Sequence, residues 1–427
     1  MTRRLWLAVV VMVIVVIVGW LYLSGWHATA EKYPSVGTKL SHTDQVARGS
    51  YLVKAGNCMA CHTARGQPAF AGGRLLPTNF GQFYTPNITP DKSTGIGNWS
   101  VDDFWRALHD GIGRDGRLLY PAFPYTEYTK VSRADADAMF AYLQSVAPVS
   151  LANREHALSF PFNWRPLLLV WRSLFFSAQL YEDDAGHTAQ WNRGAYLVQG
   201  LGHCTSCHTE RNLLGASTGL ALAGAEMDEL NWFATSLIAD NQSGHASMPT
   251  DQLQQRLQQG MAQQGRVYGP MAEVVKESLQ YLSDADLLAM VLYLRSQQVN
   301  TPLGEFDKPG QRELAETMYR GEKVYTSHCK QCHQADGTGK SPAYPALPGS
   351  RLVNLASTTN LTRILLNGGF SPATQYNPQP YGMPPFAQLL SSQEIADVAS
   401  YVRNSWGNQG SLLIAAEVDR YRGQASH

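Results

Sequence analysis

Cys204-Thr205-Ser206-Cys207-His208, within GAYLVQGLGHCTSCH, decides how the chain is read. The same pattern recurs as Cys58-Met59-Ala60-Cys61-His62 and Cys329-Lys330-Gln331-Cys332-His333, and the three copies use all six cysteines. Cys-x-x-Cys-His has a specific chemistry. Two thiols add across the two vinyl groups of a haem as thioethers, and the adjoining histidine is carried beneath the iron as its proximal ligand. A bare Cys-x-x-Cys could be a redox dithiol or half of a zinc site. Here a histidine follows directly in every copy, and no second cysteine pair sits nearby to complete a four-cysteine zinc site. The expected cofactors are three covalently bound haem c groups. Cys58 with Cys61, Cys204 with Cys207 and Cys329 with Cys332 would attach them, and His62, His208 and His333 would bind their iron.

Composition bounds the rest. The chain has 427 residues, room for three ordinary domains. Its 34 Lys+Arg balance 34 Asp+Glu, so no basic excess points to nucleic acid. The 37 Gly and 22 Pro imply much loop, as expected of small helical domains that wrap a cofactor. Arg3 and Arg4 precede an uncharged run from Leu5 to Leu23, long enough to span a bilayer. The positive residues in front place the N-terminus in the cytoplasm and the remainder outside it. Ala28-Thr29-Ala30 offers the competing reading of a cleaved signal peptide. Both readings export the rest of the chain, so the expected location is the periplasmic face of a bacterial cytoplasmic membrane.

Three repeats are visible, each running helix, Cys-x-x-Cys-His, long loop, helix. A glycine lies upstream of each cysteine pair (Gly49, Gly194, Gly321), and an aromatic lies in each last helix (Tyr142, Tyr293, Tyr401). A glycine lets two helices approach, and the aromatic fills the space beside it. That pairing looks like the class I cytochrome c fold. The expected fold class is all-α, with three tandem class I cytochrome c-like domains after an N-terminal transmembrane helix. Residues 1–30 are the anchor or signal, 41–150 the first domain, 151–190 an aromatic linker, 191–300 the second domain, 311–407 the third and 408–427 a tail. Within the linker, Leu158 to Phe176 carries six aromatics and no acidic residue. It reads as a strap between the first two domains, or as a docking surface.

A sixth, methionine ligand raises a haem's potential and suits it to electron transfer. In the third repeat it is expected to be Met383, in Tyr381-Gly382-Met383-Pro384-Pro385. In the second, aligning Gly116-Arg117 with Gly265-Arg266 selects Met271 over Met248. The same alignment puts Phe123 where the first repeat should have its methionine, and phenylalanine cannot bind iron. The first haem is expected to be five-coordinate, or to use His109 or Met139. His109 otherwise reads as a solvated polar residue, and His203 and His328 as surface residues.

RGSYLVKAGNCMACHT, FYTPNITPDKSTGIGNWS, LYPAFPY, WNRGAYLVQGLGHCTSCHTERN, GPMAEVVKESLQYLSDADL and YGMPPF resemble one family: the tri-haem cytochrome c subunits of bacterial membrane-bound periplasmic dehydrogenases. The resemblance covers about residues 45 to 407. It implies an electron-transfer subunit without substrate chemistry of its own, hence no catalytic residues. It implies a catalytic partner subunit (a quinoprotein, flavoprotein or molybdenum enzyme) and ubiquinone as acceptor. The cysteines, histidines, Met271 and Met383 match the family pattern. Phe123 departs from its YPAMPY form and looks more like the branch serving molybdenum enzymes. Two other functions remain open: a peroxidase-like enzyme using an open first haem, and a free-standing carrier feeding a terminal oxidase.

Overall fold

Serine caps set where the helices begin. Ser41, Ser100, Ser132, Ser283 and Ser391 each accept a hydrogen bond from the backbone N–H three residues on. This satisfies one of the amide groups that a helix start leaves without a partner. At Ser100 and Ser391 the bond is returned, Asp103 and Glu394 accepting from the cap's own N–H. The computed structural model describes residues 40–238, 248–262, 265–297, 310–341 and 343–423, together with Trp6 and Met12.

The chain forms two compact units. The first comprises Met1–Asp184, Tyr196–Ser206 and Arg211–Ser217. In it the opening helix His42–Ala55 crosses the closing helix Arg133–Ser145 at Gly49. A Cβ there would lie 1.9 Å from the Ala138 carbonyl oxygen, so only glycine allows this crossing. Trp105, Met139 and Leu143 fill the core around the pair. Leu75–Thr78, Gly81–Tyr84 and Ala157–Leu158 form a three-stranded antiparallel sheet, with Leu75 opposite Tyr84 and Gly81 opposite Leu158. The aromatic linker begins on this sheet and continues into the helix Leu167–Phe175. It is tied down by Tyr120 Oη donating to the Phe162 carbonyl (3.1 Å), Arg165 to Leu118 (2.7 Å) and Trp171 to Leu214 (2.8 Å). Phe160 and Leu174 nevertheless stay exposed.

The second unit comprises Ala185–Ala195, Cys207–Glu210 and Thr218–His427. It repeats the crossing twice. A Cβ at Gly194 would lie 2.0 Å from the Ala289 carbonyl oxygen, and one at Gly321 2.2 Å from that of Asp397. The closing helices are Asp284–Ser296 and Ser392–Asn404. A short helix, Ala415–Asp419, covers the last core, with Val418 fully buried and Arg422 donating to the carbonyls of Ala387 and Leu390.

The expectation of an all-α fold behind a transmembrane helix is corrected on both points. Nine short strands occur among the described residues, in four antiparallel sheets. They form in the Gly/Pro-rich loops, where Gly81 (φ 124°) and Gly265 (φ 137°) take backbone angles closed to other residues and return the chain on itself. No described helix is long and apolar enough to cross a membrane. The run Leu5–Leu23 lies outside the described residues except for Trp6 and Met12, so the fold lends the anchor no support.

Candidate functional site

Each Cys-x-x-Cys-His motif ends in a single helical turn: Cys58–His62, Thr205–His208 and Lys330–His333. Cys58–His62 holds both cysteines within the helix, where the positions i, i+3 and i+4 share a face, so there two thiols and an imidazole point the same way. Asn57 (φ 53°) and His203 (φ 39°) precede the first two pairs in the left-handed region. Asparagine and histidine are among the few residues that enter it readily.

The imidazoles are oriented alike. His62 Nδ1 lies 2.7 Å from the carbonyl oxygen of Pro86, His208 Nδ1 2.6 Å from that of Thr235, and His333 Nδ1 3.1 Å from that of Pro345. A carbonyl can only accept, so Nδ1 carries the proton and Nε2 keeps its lone pair. Burial lowers the pKa of all three, His208 to about 4, which holds them neutral and ready to bind a metal. The cysteines move the other way. Burial pushes the Cys58 thiol up to about 12 and Cys329 up to about 11, with the neighbouring Cys61 and Cys332 adding to the rise. A working redox dithiol needs a lowered pKa. No group of three or more His, Cys, Asp and Glu that could hold a metal ion occurs among the described residues.

The third site is the most complete. Cys329, His333 and Met383 line one cavity, with Leu361, Ile364 and Val402 on its apolar walls. Met383 lies on the short strand Gly382–Met383, paired with Gly369–Phe370, so Met383 is opposite Gly369. A histidine, a methionine and a thiol around one apolar space suit a haem. In the second repeat Met271 is half-buried in the first turn of the helix Gly269–Glu277, while Met248 is buried just ahead of the helix Thr250–Gln259. In the first repeat Phe123 packs on Tyr128, ring centroids 5.4 Å apart. Met139 is fully buried in the closing helix.

Two histidine readings need correction. His109 is not solvated: it is 1% exposed, stacked on Trp105 at 4.6 Å, with Nδ1 2.8 Å from the Thr129 carbonyl. His203 is not a free surface residue either. It is half-buried, edge-on to Tyr128 at 5.3 Å and hydrogen-bonded to the Gly56 backbone. His328 is exposed, as expected.

One conserved geometry within the chain escaped sequence reading. Arg48, Arg193 and Arg320 each stand directly before a crossing glycine, and pair with Asp135 (2.5 Å), Asp286 (2.7 Å) and Asp397 (2.8 Å) of the closing helices. The Arg-Gly dipeptide upstream of each Cys-x-x-Cys-His motif was the available signal.

Paired cysteines followed by a neutral, oriented histidine in each motif, with an apolar cavity shared by histidine, cysteine and methionine at the third, define a c-type cytochrome. The Cytochrome c family model matches residues 46–147 and 318–406. The gluconate 2-dehydrogenase cytochrome c subunit of Pantoea cypripedii is 36% identical, over 87% of this chain and 88% of the relative. The cytochrome c subunit of the quinone alcohol dehydrogenase of Gluconobacter oxydans (strain 621H) is 37% identical, over 87% and 80%. The fructose dehydrogenase cytochrome subunit of Gluconobacter japonicus is 35% identical, over 94% and 87%. The chain belongs to the family of dehydrogenase cytochrome c subunits.

Proposed function

We propose that the chain carries three haem c groups and passes electrons from a catalytic dehydrogenase subunit to ubiquinone, on the periplasmic face of a bacterial cytoplasmic membrane. Cys58 and Cys61, Cys204 and Cys207, and Cys329 and Cys332 would attach the haems. His62, His208 and His333 would bind iron on one side, and Met271 and Met383 would complete the second and third sites. The observation that carries this reading is the threefold histidine geometry: in every copy a backbone carbonyl fixes Nδ1 and leaves Nε2 for iron. Iron held in this way supplies a one-electron couple, and methionine as second ligand raises its potential. The protein's own contribution would be to orient the imidazoles, exclude water from the apolar walls and keep Met383 on the same cavity as His333. The relatives named above are dehydrogenase subunits, which supports a dehydrogenase partner; whether that partner is a quinoprotein, flavoprotein or molybdenum enzyme is decided by the large subunit that co-purifies. Intact-mass analysis of the exported chain should find three haem additions. The purified complex should reduce a ubiquinone analogue when given the partner's substrate. Fewer than three haems, or substrate-dependent reduction of artificial dyes but never of quinone, would refute the corresponding part.

A further inference from the structure

The cavity holding Cys329, His333 and Met383 has one wall of a different character. Arg256, Arg266 and Arg351 line it, and no aspartate or glutamate does. Arg256 comes from the helix Thr250–Gln259 and Arg266 from the strand Gly265–Arg266, both within the second repeat. Arg351 opens the short helix Arg351–Asn354 of the third. Nη1 of Arg256 is buried without a hydrogen-bond partner. Burial alone lowers that guanidinium to about 10, with no carboxylate opposing the fall. Arg351, 8% exposed, donates Nη2–H to the carbonyl of Ser236, next to the Thr235 carbonyl that orients His208.

Buried cations are tolerated when an anion completes them. Three arginines line a largely apolar space, Arg256 keeps a buried donor without a partner, and the fork of an arginine matches a carboxylate in two parallel hydrogen bonds. We propose that Arg256 and Arg266, together with Arg351, receive the two propionate carboxylates of the haem attached at Cys329 and Cys332. The inference rests on the reading of that motif as a haem site. It has two consequences. The third haem is gripped across the repeat boundary, by side chains that the second repeat supplies. The arginines also place positive charge beside the iron and favour its reduced, less positive state.

The test uses the full-length, haem-loaded chain as wild type, Arg256→Gln, Arg266→Gln and Arg256→Lys, with redox titration and intact mass as readouts. The third haem is identified as the component whose potential Met383→Ala displaces. Each glutamine variant is expected to shift that component's reduction equilibrium about tenfold toward the oxidised form, about 59 mV for one electron. Arg256→Lys should recover most of the shift, because it restores the charge without the fork. If Arg256→Gln is too unstable to purify, Arg266→Gln, at a half-buried position, carries the test with Arg256→Lys. A third-haem potential at the wild-type value in every glutamine variant obtained overturns the inference. Fewer than three haem additions on the wild-type chain overturns instead the reading beneath it, and the mass separates the two failures.

Discussion

A carbonyl oxygen decides the chemistry of each motif histidine, because it fixes which ring nitrogen carries the proton. In the three-haem chain proposed above, the second ligand would then decide what the iron does. Met383→Ala is expected to open the third haem, seen as carbon monoxide uptake by the reduced protein where the wild-type site takes none. Phe123→Met is expected to act in reverse, reducing carbon monoxide uptake at the first haem. His203 gives a pH prediction. Burial lowers its pKa below 6.5, against an opposing pull from Glu127. As pH falls through 6.5 the unfolded chain therefore takes up a proton that the folded chain refuses, and stability falls. His203→Gln should flatten the dependence of the unfolding midpoint on pH between about 7 and 5, and an unchanged slope would count against it. The cysteines and motif histidines stand out in the sequence by their spacing, and Met383 by its Pro-flanked loop. The burial of His109 and His203 could not. It comes from Trp105 and Tyr128, placed by tertiary folding next to residues whose own sequence neighbourhood looks polar.

At the scale of elements, three helix crossings carry the architecture. Gly49→Ala, Gly194→Ala and Gly321→Ala each press a Cβ onto a backbone carbonyl of the partner helix, which no side-chain rotation relieves. Each is expected to cost about 1–3 kcal/mol, or more. Gly310→Ala, with nothing within 4 Å of its added Cβ, is the matched control and should leave the calorimetric midpoint near wild type. The ion pairs beside the crossings are unequal partners. Arg48 is half exposed, so Arg48→Met should cost no more than about 1 kcal/mol. Asp135→Ala should cost about 1–3 kcal/mol, because Asp135 also accepts from the buried Tyr196 hydroxyl at 2.6 Å. Equal losses in denaturant unfolding would contradict that account. The crossing glycines were legible, since each meets a local steric requirement. The strands were not: pieces two to four residues long carry too little alternation to stand out from a Gly/Pro-rich loop.

For the whole molecule, the threefold repeat was evident in the sequence, yet the compact units number two, and their boundary separates Cys204 from Cys207. Contact between repeats depends on side chains such as Arg256 and Arg351, whose partners lie far along the chain and leave no periodic trace. The histidine-to-carbonyl bonds add a dimension of time. They close chain segments of 24 residues at His62, 27 at His208 and 12 at His333. Loop-closure entropy grows with the logarithm of length, so the third ring is cheaper to shut than the second by about 0.7 kcal/mol. As the polypeptide folds, the last-synthesised pocket is thus the one whose imidazole costs least to lock, followed by the first, with the middle one costing most.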